Sequence, residues 1–434
     1  MRRSPRNLTI ACNHAGLTHF GGVYFFHEFL RVLQFRRFLT RHLRYPRRNQ
    51  RYSLAQMILA LIYPIVLGLD RLETASFLRF NSTFQYLAGL PSFPDPQTLR
   101  RFLMQAPAAF QLQCQHLNNL LLQQLIHLPQ HRSRLLFDLD STVVPVFGHQ
   151  ENATVGYNPR FRGRGSYQPL LCTEANSSYL WAAQLRPGRS SSWVGSVEML
   201  EQALAHLPSD IREVRVRADS GFGYDPVLTL LEQRAAQYAI VARVYSPLRR
   251  LLPGLTYQTV NRYWQMSECE HRLHGWPQAR RFVVARKLLA DEDAQTTLFT
   301  MGRYVYRVWI TNLALTPWGI RRFYDGRAAM ELRIRELQHD FALCKIPTRS
   351  YAANSLFLNV VRLAYNLVTA FQNICLPDPW STLTLSRLRY NLFLLPGELT
   401  RPGNRPILRL RPTPNLQDLA QTILRRLRRL PALN

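Results

Sequence analysis

A chain of 434 residues is too long for one small core and predicts two to four compact units. Hydrophobic residues make up 47% at a mean hydropathy of -0.18, and the longest apolar run, Leu54 to Leu69, is broken by Tyr63-Pro64 and is too short for a bilayer, which argues against a membrane protein. The formal charge of +28 points instead to a polyanionic partner, nucleic acid first. Almost all of the positive charge is arginine, Lys287 and Lys345 being the only lysines. A GC-rich genome accounts for that ratio but not for the net charge. Six cysteines, at 12, 114, 172, 269, 344 and 375, form no C-x-x-C pair, so neither a zinc ribbon nor a disulfide framework is expected. No apolar run adequate for a signal peptide follows the basic start, and a cytoplasmic, reducing location is expected.

Residues 1–130 read as a helical, basic domain. Gly21 to Arg44 carries Val23, Phe26, Phe29, Leu30, Leu33 and Phe38 at helical spacing, with arginines between them. Ser53 caps a second helix running to about Gly68, and Arg71 to Phe80 is a candidate third. In Ser92-Phe-Pro-Asp-Pro-Gln-Thr-Leu-Arg-Arg-Phe102, Asp95 is a good N-cap, Pro96 suits the first helical position, and Arg100 and Arg101 follow on the first turns. Such a helix suits a DNA-reading helix-turn-helix; helical packing with a solvated basic face fits the same residues.

From Leu135 the pattern turns to strands. In Arg134-Leu-Leu-Phe-Asp-Leu-Asp-Ser-Thr-Val-Val-Pro-Val146, alternation puts Leu136, Asp138, Asp140 and Thr142 on one face. An unpaired buried carboxylate is costly, so such a strand either ends in water or offers its oxygens to a cation or a base. Tyr167 to Thr173, Tyr179 to Leu185, Val214 to Asp219 and Tyr238 to Val244 are the next strands, with helices over Gly195 to His206 and Pro226 to Ala236. Between the first two strands lies a loop with Arg160, Arg162, Gly163, Arg164 and Gly165, able to approach phosphates closely. This order of strands and helices predicts an α/β fold with an RNase H-like core, begun over 131–244 and completed over 316–375. Residues 245–315 form a β-rich insertion, and 376–434 a basic tail with an amphipathic piece from Leu416 to Leu430.

In such a sheet the first and fourth strands are neighbours, so Asp140 and Asp219 converge, and a third carboxylate, Glu331, comes from a helix packed on the sheet. Three oxygen donors suit two magnesium ions about 3.5–4 Å apart in phosphodiester chemistry. In Tyr324-x-x-Arg327-x-x-x-Glu331, offsets of three and four put the three side chains on one helix face, where Arg327 can grip a scissile phosphate.

Here the sequence resembles the DDE transposases of bacterial insertion sequences, in the cut-and-paste group with a Tyr-x-x-Arg-x-x-x-Glu-x-x-x-x-x-x-Lys signature. The likeness extends to Asp138-x-Asp140-x-Thr142, Gly148-x-Gln150-Glu151, Tyr167-x-Pro169-Leu170, Arg186-Pro-Gly188, Arg217-Ala-Asp219-Ser-Gly-Phe222 and Arg333-Ile-Arg-Glu-Leu337, and covers about residues 15 to 370. It implies Asp140, Asp219 and Glu331 as catalytic ligands of two Mg²⁺ ions, with Mn²⁺ as a substitute, and Tyr324 and Arg327 on DNA phosphate. It further implies double-stranded DNA partners, both transposon ends and target, and self-association as a dimer in the DNA complex. The signature's lysine is Gln338 here, so its backbone contact is weakened or passes to Arg335. Asp138 shares a face with Asp140; Asp140 is preferred because it directly precedes Ser141-Thr142. Arg100, Arg101, Arg162, Arg164 and Arg335 complete the expected DNA contacts. Two alternatives stay open: a decayed or domesticated DNA-binding copy of the same fold, and a host RNase H-like nuclease, which the long insertion and the basic N-terminal region disfavour.

Overall fold

The computed structural model describes residues 10–47, 51–128, 130–158, 161–289, 300–301 and 303–434. The expected helix over Gly21 to Arg44 is two helices, α1 (Val23–Val32) and α2 (Phe35–His42), because Gln34 between them takes a left-handed backbone, φ 53°. Their phenylalanines and leucines are buried and Arg31, Arg36, Arg37 and Arg41 stay exposed. Helix α3 (Leu54–Leu67) begins at a capping box between Ser53 and Gln56 and ends at Gly68 with φ 80°, the two signals that delimit it in sequence. It is buried almost all round, which is why it has no polar stripe. Helix α4 (Pro96–Gln105) starts where expected, with the Asp95 side chain accepting from the Gln97 amide, and α5 (Ala108–Leu125) follows.

Next come strands β1 (Arg134–Ser141), β2 (Leu170–Glu174) and β3 (Leu180–Gln184), helix α6 (Ser196–Ala205), strand β4 (Glu213–Ala218), helix α7 (Asp225–Gln233) and strand β5 (Gln237–Val241). They lie in the order β3-β2-β1-β4-β5, with β1, β4 and β5 parallel and β2 antiparallel to both of its neighbours. That is the RNase H-like arrangement expected from the element order. The following β-rich stretch is an insertion in sequence but not in space. Its strands β6 (Trp264–His271), β7 (Arg280–Leu288) and β8 (Tyr304–Thr311) lengthen the same sheet, β8 pairing antiparallel with β5 and β7 and β6 continuing outward.

Helices α8 (Pro317–Asp325) and α9 (Ala328–Asp340) return the chain to the sheet, and α10 (Tyr351–Cys375) runs through the centre, with nearly every residue buried. It touches α3, α4 and α5 on one side and β3 on the other, so the N-terminal helices and the sheet share one continuous core. Buried polar groups fix that junction: Asn366 both accepts from the Leu180 amide and donates to its carbonyl (2.8 and 3.0 Å), and Arg362 donates to the Leu180 and Trp181 carbonyls. Each satisfies backbone groups at the sheet edge that would otherwise be orphaned.

The expected basic tail also belongs to this core. Buried Arg389 donates to the carbonyls of Ile65 and Val66 (both 2.7 Å), helix α11 (Leu416–Leu427) lies on α1 and α10, and the Leu433 amide donates to Leu33. Among the described residues no helix is long and apolar enough to cross a membrane.

Candidate active site

The two faces of β1 part company as the alternation predicts. Leu135, Phe137 and Leu139 enter the core, Phe137 against Trp181, while Asp138 and Asp140 face the layer of α8 and α9. The parallel register sets Leu139 beside Ala218, so the next residues, Asp140 and Asp219, emerge together at the carboxyl ends of neighbouring strands. In open α/β sheets that end is where ligands bind.

Asp140 accepts the Ser141 amide at 2.8 Å and an Arg327 guanidinium N–H at 2.9 Å. Asp219 accepts the Gly221 amide at 2.8 Å. Gly221 has no room for a side chain, since a Cβ there would stand 2.5 Å from that of Ser192. Burial pushes the Asp140 carboxyl up to about 6; the Arg327 charge works against that shift and the Asp219 charge adds to it. A desolvated carboxylate beside a second one has high affinity for a proton or a cation.

One layer below, Asp138 is fully buried and pairs through both oxygens with its cross-strand neighbour Arg217, at 2.7 and 2.8 Å. The remaining Arg217 nitrogen donates to the Phe323 carbonyl at 2.8 Å, and Gly326 gives it space, because a Cβ there would lie 2.6 Å away. Both Asp138 oxygens are thus taken by an internal counter-ion, and Asp140 is the carboxylate of this strand that reaches the strand ends.

The signature helix differs from expectation. It breaks at Gly326 and Arg327, the latter being the N-cap residue of α9, so Tyr324, Arg327 and Glu331 do not share the face of one helix. Tyr324 closes α8 at 4% exposure, its ring 6.0 Å from that of Trp309 and 5.0 Å from the Arg307 guanidinium. Arg327 is also buried and donates to Asp140 and to the Leu139 carbonyl at 2.8 Å. Both expected phosphate grips are turned inward, held by apolar packing in one case and by a carboxylate in the other. Glu331 sits exposed in the first turn of α9 without a hydrogen bond or ion pair among the described residues, and the oxygens of Asp140, Asp219 and Glu331 do not gather within 4.8 Å of one another.

Helix α9 is tied across the first two strands: Met330 accepts from Thr173, Arg333 donates to the Ala175 carbonyl, and Gln338 donates to the Thr142 hydroxyl at 2.6 Å. Gln338 therefore stands near the carboxylates, and Arg335 is exposed without a partner among the described residues. On α4, Arg100 is turned toward the protein, paired with Glu73 and within 3.4 Å of the Pro347 carbonyl, whereas Arg101 is exposed. Arg162 and Arg164 are exposed on the loop after β1, and Arg160 lies outside the described residues.

Sequence reasoning missed the aromatic rim of that loop. Phe147 (72% exposed), Tyr157 (81%) and Phe161 (42%) stand in solvent, with Arg164 stacked 4.4 Å over Phe147. Their signal was aromatic residues alternating with the arginines, a pattern suited to stacking on bases as well as to gripping phosphates. Arg186 of the Arg186-Pro-Gly188 segment holds the Ser191, Ser192 and Val194 carbonyls (3.1, 3.0 and 2.6 Å) and so fixes the turn that packs on Gly221 beside Asp219.

Comparison with curated proteins gives no match. A solved structure described as a cryo-EM structure of the piggyBac transposase synaptic complex with hairpin DNA aligns over 97% of this chain and 86% of its own, at 11% identity and a TM-score of 0.46. Residues 3–432 match the family model described as "Transposase DDE domain group 1", and since that match spans nearly the whole sequence, the chain belongs to the DDE transposase family.

Proposed function

We propose that this DDE transposase binds the terminal inverted repeats of an insertion sequence and cleaves and joins DNA strands with two divalent ions, Mg²⁺ or in substitution Mn²⁺, held by Asp140, Asp219 and Glu331. The observation that carries the reading is the pair Asp140 and Asp219, side by side at adjoining strand ends, with burial raising the proton affinity of one of them. The residues fit the ions by donor chemistry: they are all carboxylates, the donors that hard divalent cations prefer. When bound, the ions activate the attacking oxygen and stabilise the departing one.

The chain's own residues prepare that site. The Asp138–Arg217 pair fixes the strand under it without competing for a ligand, since its charges cancel. Arg327 orients Asp140 and compensates its charge while no cation is there. Glu331, exposed one turn beyond Arg327, is free to turn toward an ion. Arg101, Arg162, Arg164 and Arg335 offer exposed guanidinium groups to the backbone of double-stranded end and target DNA, with a dimer as the complex that holds two ends.

A second reading, a DNA-binding copy that has lost cleavage, is favoured by one observation: Gln338 stands where the related signature has lysine, and spends its donor on Thr142. The full chain, incubated in Mg²⁺ or Mn²⁺ with duplexes from the ends flanking its coding frame, separates the two. Cleavage abolished by Asp140→Asn, Asp219→Asn or Glu331→Gln, with end binding retained, is the expected result. Cleavage persisting in one variant removes that residue from the site, and wild-type chain that binds ends but never cuts them establishes the second reading.

A further inference from the structure

We infer that His127, His131 and Asp210 form a binding site for one zinc ion, separate from the catalytic carboxylates. His127-x-x-x-His131 follows α5, and Asp210 lies in the turn between α6 and β4. His127 Nε2 is 3.2 Å from one Asp210 oxygen and His131 Nε2 is 2.7 Å from the other, and one ligand atom from each residue lies within 4.8 Å of the other two. The imidazole rings stack at 5.0 Å and 22°, so that both Nε2 atoms point at the same carboxylate. His127 Nδ1 is buried and has no hydrogen bond among the described residues, so Nε2 is the nitrogen of that ring engaged with Asp210.

The segments flanking these residues are tied to one another by hydrogen bonds. The Ser133 carbonyl accepts from the Arg212 and Glu213 amides (2.8 and 3.3 Å), and the Gln123 side chain donates to the His206 carbonyl at 2.9 Å. Zinc bonds of about 2.0–2.2 Å to nitrogen and oxygen need a common point that three atoms this close can reach by side-chain rotation. Side chains exposed at 69% for His131 and 41% for Asp210 leave room for it. Two imidazoles and one carboxylate select a borderline transition metal over Mg²⁺, with water in the fourth position.

The cluster adjoins the start of β1 at Arg134, whereas Asp140 lies six residues along, roughly 20 Å away at 3.3 Å per residue. An ion here does not act on DNA; it fastens the end of the N-terminal helices to the connection that leads into β4. The test is zinc titration of the full chain by calorimetry in excess Mg²⁺, paired with thermal unfolding. One zinc per chain, a raised unfolding midpoint, and affinity at least about tenfold weaker in both His131→Ala and Asp210→Asn are expected, with Mg²⁺-dependent DNA cleavage unchanged. Zinc held at Asp140 and Asp219 would survive both substitutions, so binding that persists in them overturns the inference, as does wild-type chain that takes up no zinc.

Discussion

Asp138 and Asp140 lie two residues apart on one face of β1, and burial raises the proton affinity of both against the arginines beside them; what differs is the partner. Asp138 has both oxygens on Arg217 in a fully buried pair, and breaking such a pair by Asp138→Asn is expected to cost about 3–5 kcal/mol. Asp140 is held as an anion where a neutral group would be more stable, since its carboxyl is pushed up to about 6. The folded chain binds this proton more tightly than the unfolded chain does. Ionising Asp140 therefore removes stability as pH rises from about 4 to about 6, a loss on the order of 3 kcal/mol that is complete above that range. Without divalent ions, the midpoint of Asp140→Asn relative to wild type should accordingly climb between pH 4 and pH 6 and stay level above, whatever constant cost comes from leaving Arg327 unpaired, while Asp138→Asn lowers the midpoint throughout. A difference between Asp140→Asn and wild type that does not change from pH 4 to pH 6 would show that Arg327 already stabilises the anion in full. Alternation along the strand was enough to put both aspartates on one face. That Arg217 neutralises only one of them was hidden, because it depends on the parallel register that sets Arg217 beside Asp138.

At the scale of elements, the strands and most helices were legible because each carries its own punctuation, such as Ser53 with Gln56, Asp95 with Pro96, and Gly68. The break at Gly326 was less so, since a glycine between two helical runs does not say whether they bend or part. Arg217 reaching the Phe323 carbonyl through the space beside Gly326 supplies the reason, and it comes from a distant strand. Gly326→Ala should displace that guanidinium and destabilise the chain, read as a lower unfolding midpoint. Full stability in this variant would deny the close approach. Arg335, exposed on α9, offers a cleaner test of what this helix faces. Arg335→Gln is expected to leave the unfolding midpoint unchanged and to reduce the slope of log affinity for end DNA against log salt by about one unit. An unchanged slope would mean that α9 does not approach the DNA backbone.

Across the whole molecule, the N-terminal helices, the sheet and the tail expected as separate units share one core, since α10 contacts the N-terminal helices, β3 and α11 together, while the inserted strands β6–β8 add a second apolar cluster against α8. Sequence could not show this: α10 is buried on all sides, and burial on all sides looks the same whether the neighbours come from one domain or several. A chain begun at residue 131 would expose the α3, α4 and α5 side of α10 and is expected to be insoluble or to lack a cooperative melt; a folded, cooperative product would restore the separate-domain view. Where divalent cations bind in the DNA complex decides the assignment of Asp140, Asp219 and Glu331. Crystals of the full chain with end DNA and Mn²⁺, examined by anomalous scattering, should show manganese coordinated by Asp140 and Asp219, with Glu331 drawn toward it and the Asp138–Arg217 pair intact. Manganese bound elsewhere while Arg327 remains on Asp140 would contradict the assignment of this site.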